Sequence, residues 1–116
     1  MDIKILSYRL PGNSPASQVD CGWIAYNGEK EVGWVSMIFY PKNLIKFADA
    51  YVISEYRGKG IYSKLWDKRF KYCQKHFPNH KIISYCKESV IDFYIKKGFK
   101  PSGTVTLMKL GKAKED

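Results

Sequence analysis

Ala50-Tyr51-Val52-Ile53-Ser54-Glu55-Tyr56-Arg57-Gly58-Lys59-Gly60-Ile61-Tyr62-Ser63 joins two stretches of different hydrophobic period. Upstream, Leu44 to Ile53 is nearly continuous in apolar residues apart from Lys46 and Asp49, and reads as a strand. Downstream, Ile61, Leu65, Trp66, Phe70 and Cys73 or Phe77 recur at helical spacing. They predict an amphipathic helix from about Ile61 to His76, stopped by Pro78-Asn79. The handover between the two is a potential anion site. The first amides of a helix lack intrahelical partners, and the helix dipole adds partial positive charge there. Gly58 and Gly60 permit positive φ or close backbone approach, and Arg57, Lys59 and Lys64 add charge. A Walker loop is excluded because Gly-Lys-Ser/Thr is missing, and the dinucleotide fingerprint fails because Ser63 stands at its third glycine. From spacing alone, a tight turn and a phosphate cradle both remain open.

On either side of this segment the chain alternates short β-rich runs with turns. Ile3 to Arg9 reads as a first strand, and Pro11-Gly12-Asn13-Ser14-Pro15 opens a loop to about Asp20. Gly22 to Tyr26 and Glu31 to Tyr40 flank Asn27-Gly28, a type I′ hairpin signal, and Pro41-Lys42-Asn43 turns the chain again. Lys81 to Cys86 follows a helix and should run parallel to the strand ending at Ile53. A second helix is expected from Ser89 to Lys97 with Gly98 as its left-handed cap, then a last strand from Thr104 to Leu110. The expected fold class is α+β: a mixed, mostly antiparallel sheet with helices packed on it, in a single domain over residues 1–116.

Composition narrows the function classes. An apolar fraction of 45% and an aromatic fraction of 16% suit a packed globule, and no apolar run is long enough to cross a membrane. The start of the chain does not resemble a signal peptide, so a cytoplasmic location is expected. Cys21, Cys73 and Cys86 lack paired spacing with each other or with His76 and His80, which argues for reduced thiols and against a metal site. The net charge of +9 attracts anions, whether a nucleotide-like cofactor, a nucleic acid or an acidic protein.

Arg57-Gly58-Lys59-Gly60-Ile61 at the end of a strand resembles the acetyl-coenzyme A motif of the GNAT family of N-acetyltransferases, Arg/Gln-x-x-Gly-x-Gly/Ala. Phe93-Tyr94-Ile95-Lys96-Lys97-Gly98-Phe99 is similar to that family's Tyr-x-x-x-Gly-Phe. The resemblance spans roughly residues 22 to 110. It implies a sheet splayed between the fourth and fifth strands near Val52 and Ser84, where free backbone groups hold pantetheine. It assigns acetyl-CoA, as co-substrate and without a metal, to Tyr51, Val52, Arg57, Gly58, Lys59, Gly60, Ile61, Tyr62 and Ser63. Tyr94 would be the general acid that protonates the coenzyme A sulfur. Its bland alternative is a core aromatic beside Ile91 and Phe99.

Three departures stand out. Tyr62 occupies a position the family keeps small, Lys87 replaces a frequent Asn, and Leu10 to Gln18 replaces the helical segment between the first two strands. The last departure leaves an open acceptor groove, or one completed by a partner. Among carboxylates, Asp49 is the best candidate base; its bland alternative is a strand-face charge paired with a lysine, and Glu55 should point to solvent. The expected reaction is acetyl transfer to a primary amine, on a protein lysine, a terminus or a small molecule. The acceptor could belong to an acidic or nucleic-acid-associated partner, and a homodimer is left open. Two other readings share the fold: a nucleic-acid-binding or nucleic-acid-modifying protein, suggested by the charge, the tyrosines, Trp34 and Tyr40, and a binding module whose phosphate site is blocked by Tyr62.

Overall fold

The computed structural model describes residues 2–9 and 21–103. The replacement loop at Leu10 to Gln18 and the strand expected at Thr104 to Leu110 lie outside the described residues. The chain divides into two compact units, Met1–Ser84 and Tyr85–Asp116.

The first unit is a five-stranded sheet with one long helix. Its strands are β1 (Ile3–Arg9), β2 (Cys21–Asn27), β3 (Lys30–Tyr40), β4 (Leu44–Val52) and β5 (Lys81–Ser84), in the spatial order β1-β2-β3-β4-β5. The first four are antiparallel meander neighbours, while β5 pairs parallel with β4, as the intervening helix requires. That helix, α1 (Ile61–His76), has the bounds its periodicity predicts.

Two local expectations need correction. Asn27 pairs with Lys30, so the β2–β3 turn is Gly28-Glu29 rather than Asn27-Gly28. Gly28 has φ +63° and neither neighbour has positive φ, which rules out type I′. The consecutive left-handed residues are instead Lys42 (φ 66°) and Asn43 (φ 58°), in the β3–β4 turn. β5 also ends at Ser84, two residues short of Cys86.

The core of this unit lies between α1 and one face of the sheet. Trp66 meets Phe47 edge-on with ring centroids 5.8 Å apart, Tyr72 meets Trp23 at 5.3 Å, and Cys73 Sγ lies 3.6 Å from Met37 Sδ. Gly33 leaves no room for a side chain: a Cβ there would stand 3.1 Å from Leu65 on α1 and 3.1 Å from Val52 on β4. A bulge fixes which β4 residues look the other way. Val35 opposes Ala50 and Met37 opposes Phe47, so Ala48 and Asp49 together face Ser36. Past this bulge, Asp49 and Tyr51 join Ser36 and Trp34 on the sheet face turned away from α1.

Arg69, fully buried on α1, holds the bulge. One Nη1 donates to the carbonyls of Ser36 (2.9 Å) and Asp49 (3.2 Å), and the guanidinium sits 3.9 Å from the centroid of Phe47. None of the three cysteines forms a disulfide. Burial pushes the Cys73 thiol up to about 11, against the opposing pull of the Arg69 guanidinium. The folded pKa therefore lies above the unfolded one, so the folded state holds the proton more tightly and stability falls as pH rises from about 9 to about 11. Below that window, Cys73 should resist alkylation by iodoacetamide in the native protein while the partly exposed Cys86 reacts, as peptide mass mapping would show.

The second unit contains a 3-10 turn at Glu88–Val90 and the helix α2 (Ile91–Lys96). The α-helix is thus shorter than the expected Ser89 to Lys97, its first turn being 3-10. Gly98 has the predicted left-handed conformation (φ +99°), its amide donating to the Ile95 carbonyl and that of Phe99 to Tyr94.

Candidate functional site

β4 outruns its parallel neighbour. Pairing with β5 stops at Phe47 opposite Ser84, so β4 continues through Ala48, Asp49, Ala50, Tyr51 and Val52 without β5 beside it. This is the splay the resemblance implies. Immediately beyond come a 3-10 turn at Ser54–Tyr56 and then the glycine loop.

The loop is shaped as an anion cradle. Gly58 and Gly60 take left-handed φ values of +77° and +83°, and Gly60 is the N-cap of α1. No side chain caps the helix, which leaves the amides of Gly60, Ile61 and Ser63 directed at whatever occupies the loop. Nothing lies within 4 Å of where a Cβ would stand on either glycine. Tyr62, half-buried in the first turn, therefore does not fill the space over them. The residues fit a pyrophosphate: open backbone, unpaired amides, and exposed Arg57, Lys59 and Lys64 around them. Substituting Gly60 with alanine adds no clash but strains an L-residue at positive φ. It should lower stability by about 1 kcal/mol in urea denaturation, and weaken acetyl-CoA in calorimetric titration.

Arg57 is held before any ligand arrives. Its Nε donates to the Val52 carbonyl at 2.7 Å, and its guanidinium lies 5.2 Å over the ring of Tyr51. Tyr51 in turn stacks on Trp34, with centroids 5.0 Å apart. Trp34 is half-buried as the base of this stack. The 3-10 turn is tied to the β2–β3 hairpin. Asn27 Nδ2 donates to Tyr56 Oη at 2.9 Å, Lys30 Nζ lies 5.5 Å over the Tyr56 ring, and Lys30 pairs with Glu55 at 3.7 Å. The pair is solvent-exposed and contributes little energy, but the hairpin still anchors the loop.

Asp49 sits on the unpaired part of β4. Its carboxylate is exposed, with Oδ2 accepting from Ser36 Oγ at 3.2 Å, and its amide donates to the same oxygen at 3.0 Å. Among the described residues no lysine or arginine side chain forms a salt bridge with it. Ser36 and Arg69, which position this carboxylate, were not singled out in the sequence. The available signal for Arg69 was its place four residues after Leu65, on the apolar stripe. In the second unit, Tyr94 is 6% exposed and packs edge-on against Phe99 at 5.1 Å. The described residues hold no His/Cys/Asp/Glu group able to bind a metal, and none of their helices is long and apolar enough to cross a membrane.

The profile of the acetyltransferase (GNAT) domain matches residues 18–101. The chain belongs to the GNAT family. It is therefore an acyltransferase, and its family uses acyl-CoA as donor. The fold of this GNAT chain is similar to that of Escherichia coli ElaA, with a TM-score of 0.78, 14% identity, and 93% of this chain covering 94% of the other. It is also similar to an acyl-CoA N-acyltransferase from Pseudomonas aeruginosa, with a TM-score of 0.76, 9% identity, and 91% of this chain covering 94% of that one. A third similar structure is a Trypanosoma brucei acetyltransferase, with a TM-score of 0.74, 17% identity, and coverage of 94% and 100%. No curated protein sequence matches the chain significantly.

Proposed function

We propose that this GNAT protein moves an acetyl group from acetyl-CoA to a primary amine by direct attack, within a single catalytic domain over residues 1–116. The observation that carries the reading is the open, uncapped start of α1 next to the unpaired end of β4. Gly58, Lys59, Gly60, Ile61, Tyr62 and Ser63 would hold the pyrophosphate with Arg57, and the β4 backbone at Tyr51 and Val52 would hold the pantetheine arm. Acetyl-CoA would supply the activated thioester carbonyl.

The chain's own residues do the rest. Arg57, stacked on Tyr51 and bonded to Val52, presents its charge with little rotamer freedom left to lose. Tyr94 would hold a proton at its hydroxyl for the leaving sulfur, and Asp49 would take one from the amine. Asp49 is favoured over Glu55, which is engaged with Lys30. The three cysteines without disulfides suit a reducing, cytoplasmic setting.

Calorimetric titration with acetyl-CoA and a thermal-shift assay test the donor site. Ligand at 100 times its Kd should add about 2.7 kcal/mol of stability. If no acyl-CoA binds, the reading fails.

A further inference from the structure

The solvent side of α1 carries a ridge of one sign. Lys64, Lys68, Lys71 and Lys75 follow one another at alternating i+4 and i+3 spacing, and all four are exposed. At about 100° per residue they fall within an arc of roughly 60°, and they span about 16 Å of the helix axis. The buried side of the helix, formed by Leu65, Trp66, Arg69 and Cys73, is turned away from them. At its N-terminal end the ridge meets Arg57 and Lys59 of the glycine loop, both exposed.

This arrangement works against the helix. Lys64 and Lys68, Lys68 and Lys71, and Lys71 and Lys75 are each a like-charge pair at the spacing where such pairs are destabilising. Among the described residues none of the four forms a salt bridge. The helix has one acidic residue, Asp67, half-buried at the edge of the ridge. Lys64 also stands in the first turn, where the helix dipole disfavours a cation. A bound anion would relieve both the repulsion and the dipole.

The surroundings of the ridge select among anionic partners. The large apolar residues exposed on the described surface are Leu6, Tyr40, Tyr51, Tyr85, Ile91 and Ile95, and none of them lies on α1. A helix that lies on a membrane sinks its apolar side into lipid, but here that side is buried against the sheet. Protein interfaces centre on aromatic and arginine anchors and are depleted in lysine, so an acidic protein finds no anchor here. Bare lysine heads suit phosphodiester oxygens, which they meet as point charges. One strand of B-DNA advances about 3.4 Å per phosphate, so roughly five phosphates would run beside the ridge.

We infer that the ridge Lys64–Lys68–Lys71–Lys75 docks the phosphate backbone of a nucleic acid, without reading its sequence. The docking is a binding activity separate from acyl transfer, and it stands whether or not the glycine loop takes acetyl-CoA.

Fluorescence anisotropy of a labelled DNA duplex of about 20 base pairs, titrated with the native protein at several salt concentrations, tests the docking. Four phosphate contacts give a slope of log K against log salt of about −3.6. The triple variant Lys68→Gln, Lys71→Gln, Lys75→Gln keeps only Lys64, so its slope should flatten to about −0.9 and its low-salt affinity should drop about tenfold or more. Lys71→Gln alone should already make the slope shallower by about 0.9. An equal loss of charge off the ridge, in Lys4→Gln, Lys87→Gln, Lys100→Gln, should leave the slope near the wild-type value. Acetyl-CoA affinity should be unchanged in the ridge variant. No measurable duplex binding at about 50 mM salt, or equal losses in the two triple variants, would overturn the inference. A fall in acetyl-CoA affinity matching the fall in duplex affinity would also overturn it, by assigning the ridge to the donor. Displacement of the duplex by phosphatidylserine–phosphatidylcholine vesicles, but not by an unlabelled duplex, would assign it to a lipid surface instead.

Discussion

Tyr94→Phe is expected to lower kcat by about 100-fold or more while acetyl-CoA affinity stays at the wild-type level. The substitution removes one oxygen from a ring that keeps its packing: Tyr94 is almost fully buried and lies edge-on to Phe99, with Phe93 6.1 Å away. A phenylalanine fits the same space, so the unfolding midpoint should move little. If the hydroxyl is only the polar end of a core aromatic, kcat will also stay put. A general acid behaves differently, because the departing thiolate then has no proton source and the loss falls on turnover rather than on donor binding. Thiol release under saturating donor gives kcat, and calorimetry gives the affinity. An unchanged kcat removes Tyr94 from the chemistry and leaves its place in the second unit as its whole role.

The second large effect concerns stability. Arg69→Met should destabilise the fold by about 3 kcal/mol or more, measured by urea denaturation. Methionine replaces most of the side-chain volume, so the loss is mainly polar. The Ser36 carbonyl, buried, and the part-buried Asp49 carbonyl lose their shared donor, and Phe47 loses the cation over its face. The same carbonyls belong to the bulge that aims Asp49, so a soluble, folded Arg69→Met protein should also show a raised amine KM. Stability within about 0.5 kcal/mol of wild type would mean that the bulge holds itself through Ser36 and the β3 pairing alone.

How far these features were legible depends on the distance over which each is specified. The helix from Ile61 to His76, the strands, and the left-handed Gly58, Gly60 and Gly98 follow from hydrophobic period and backbone sterics within a few residues. The hairpin turn was misplaced by one residue because Asn27 is recruited into the strand, where it pairs with Lys30 and bonds Tyr56. Local turn preference named the right region, and strand pairing moved the bend one residue on, to Gly28-Glu29. Lys46 and Asp49 looked alike as charges interrupting an apolar strand. Only the bulge against Ser36 distinguishes them, by turning Asp49 toward a buried hydroxyl.

Read alone, the sequence therefore determined the strand-to-helix turn: two left-handed glycines before a helix start follow from backbone geometry that needs no distant residue. The tertiary structure decided what surrounds it. Trp34 supports Tyr51 and Arg57, Arg69 is drawn into the core to satisfy two bulge carbonyls, and Tyr8 lies over Gly22. Each joins residues far apart in the chain through strand register, and register is set by the whole sheet rather than by any segment of it.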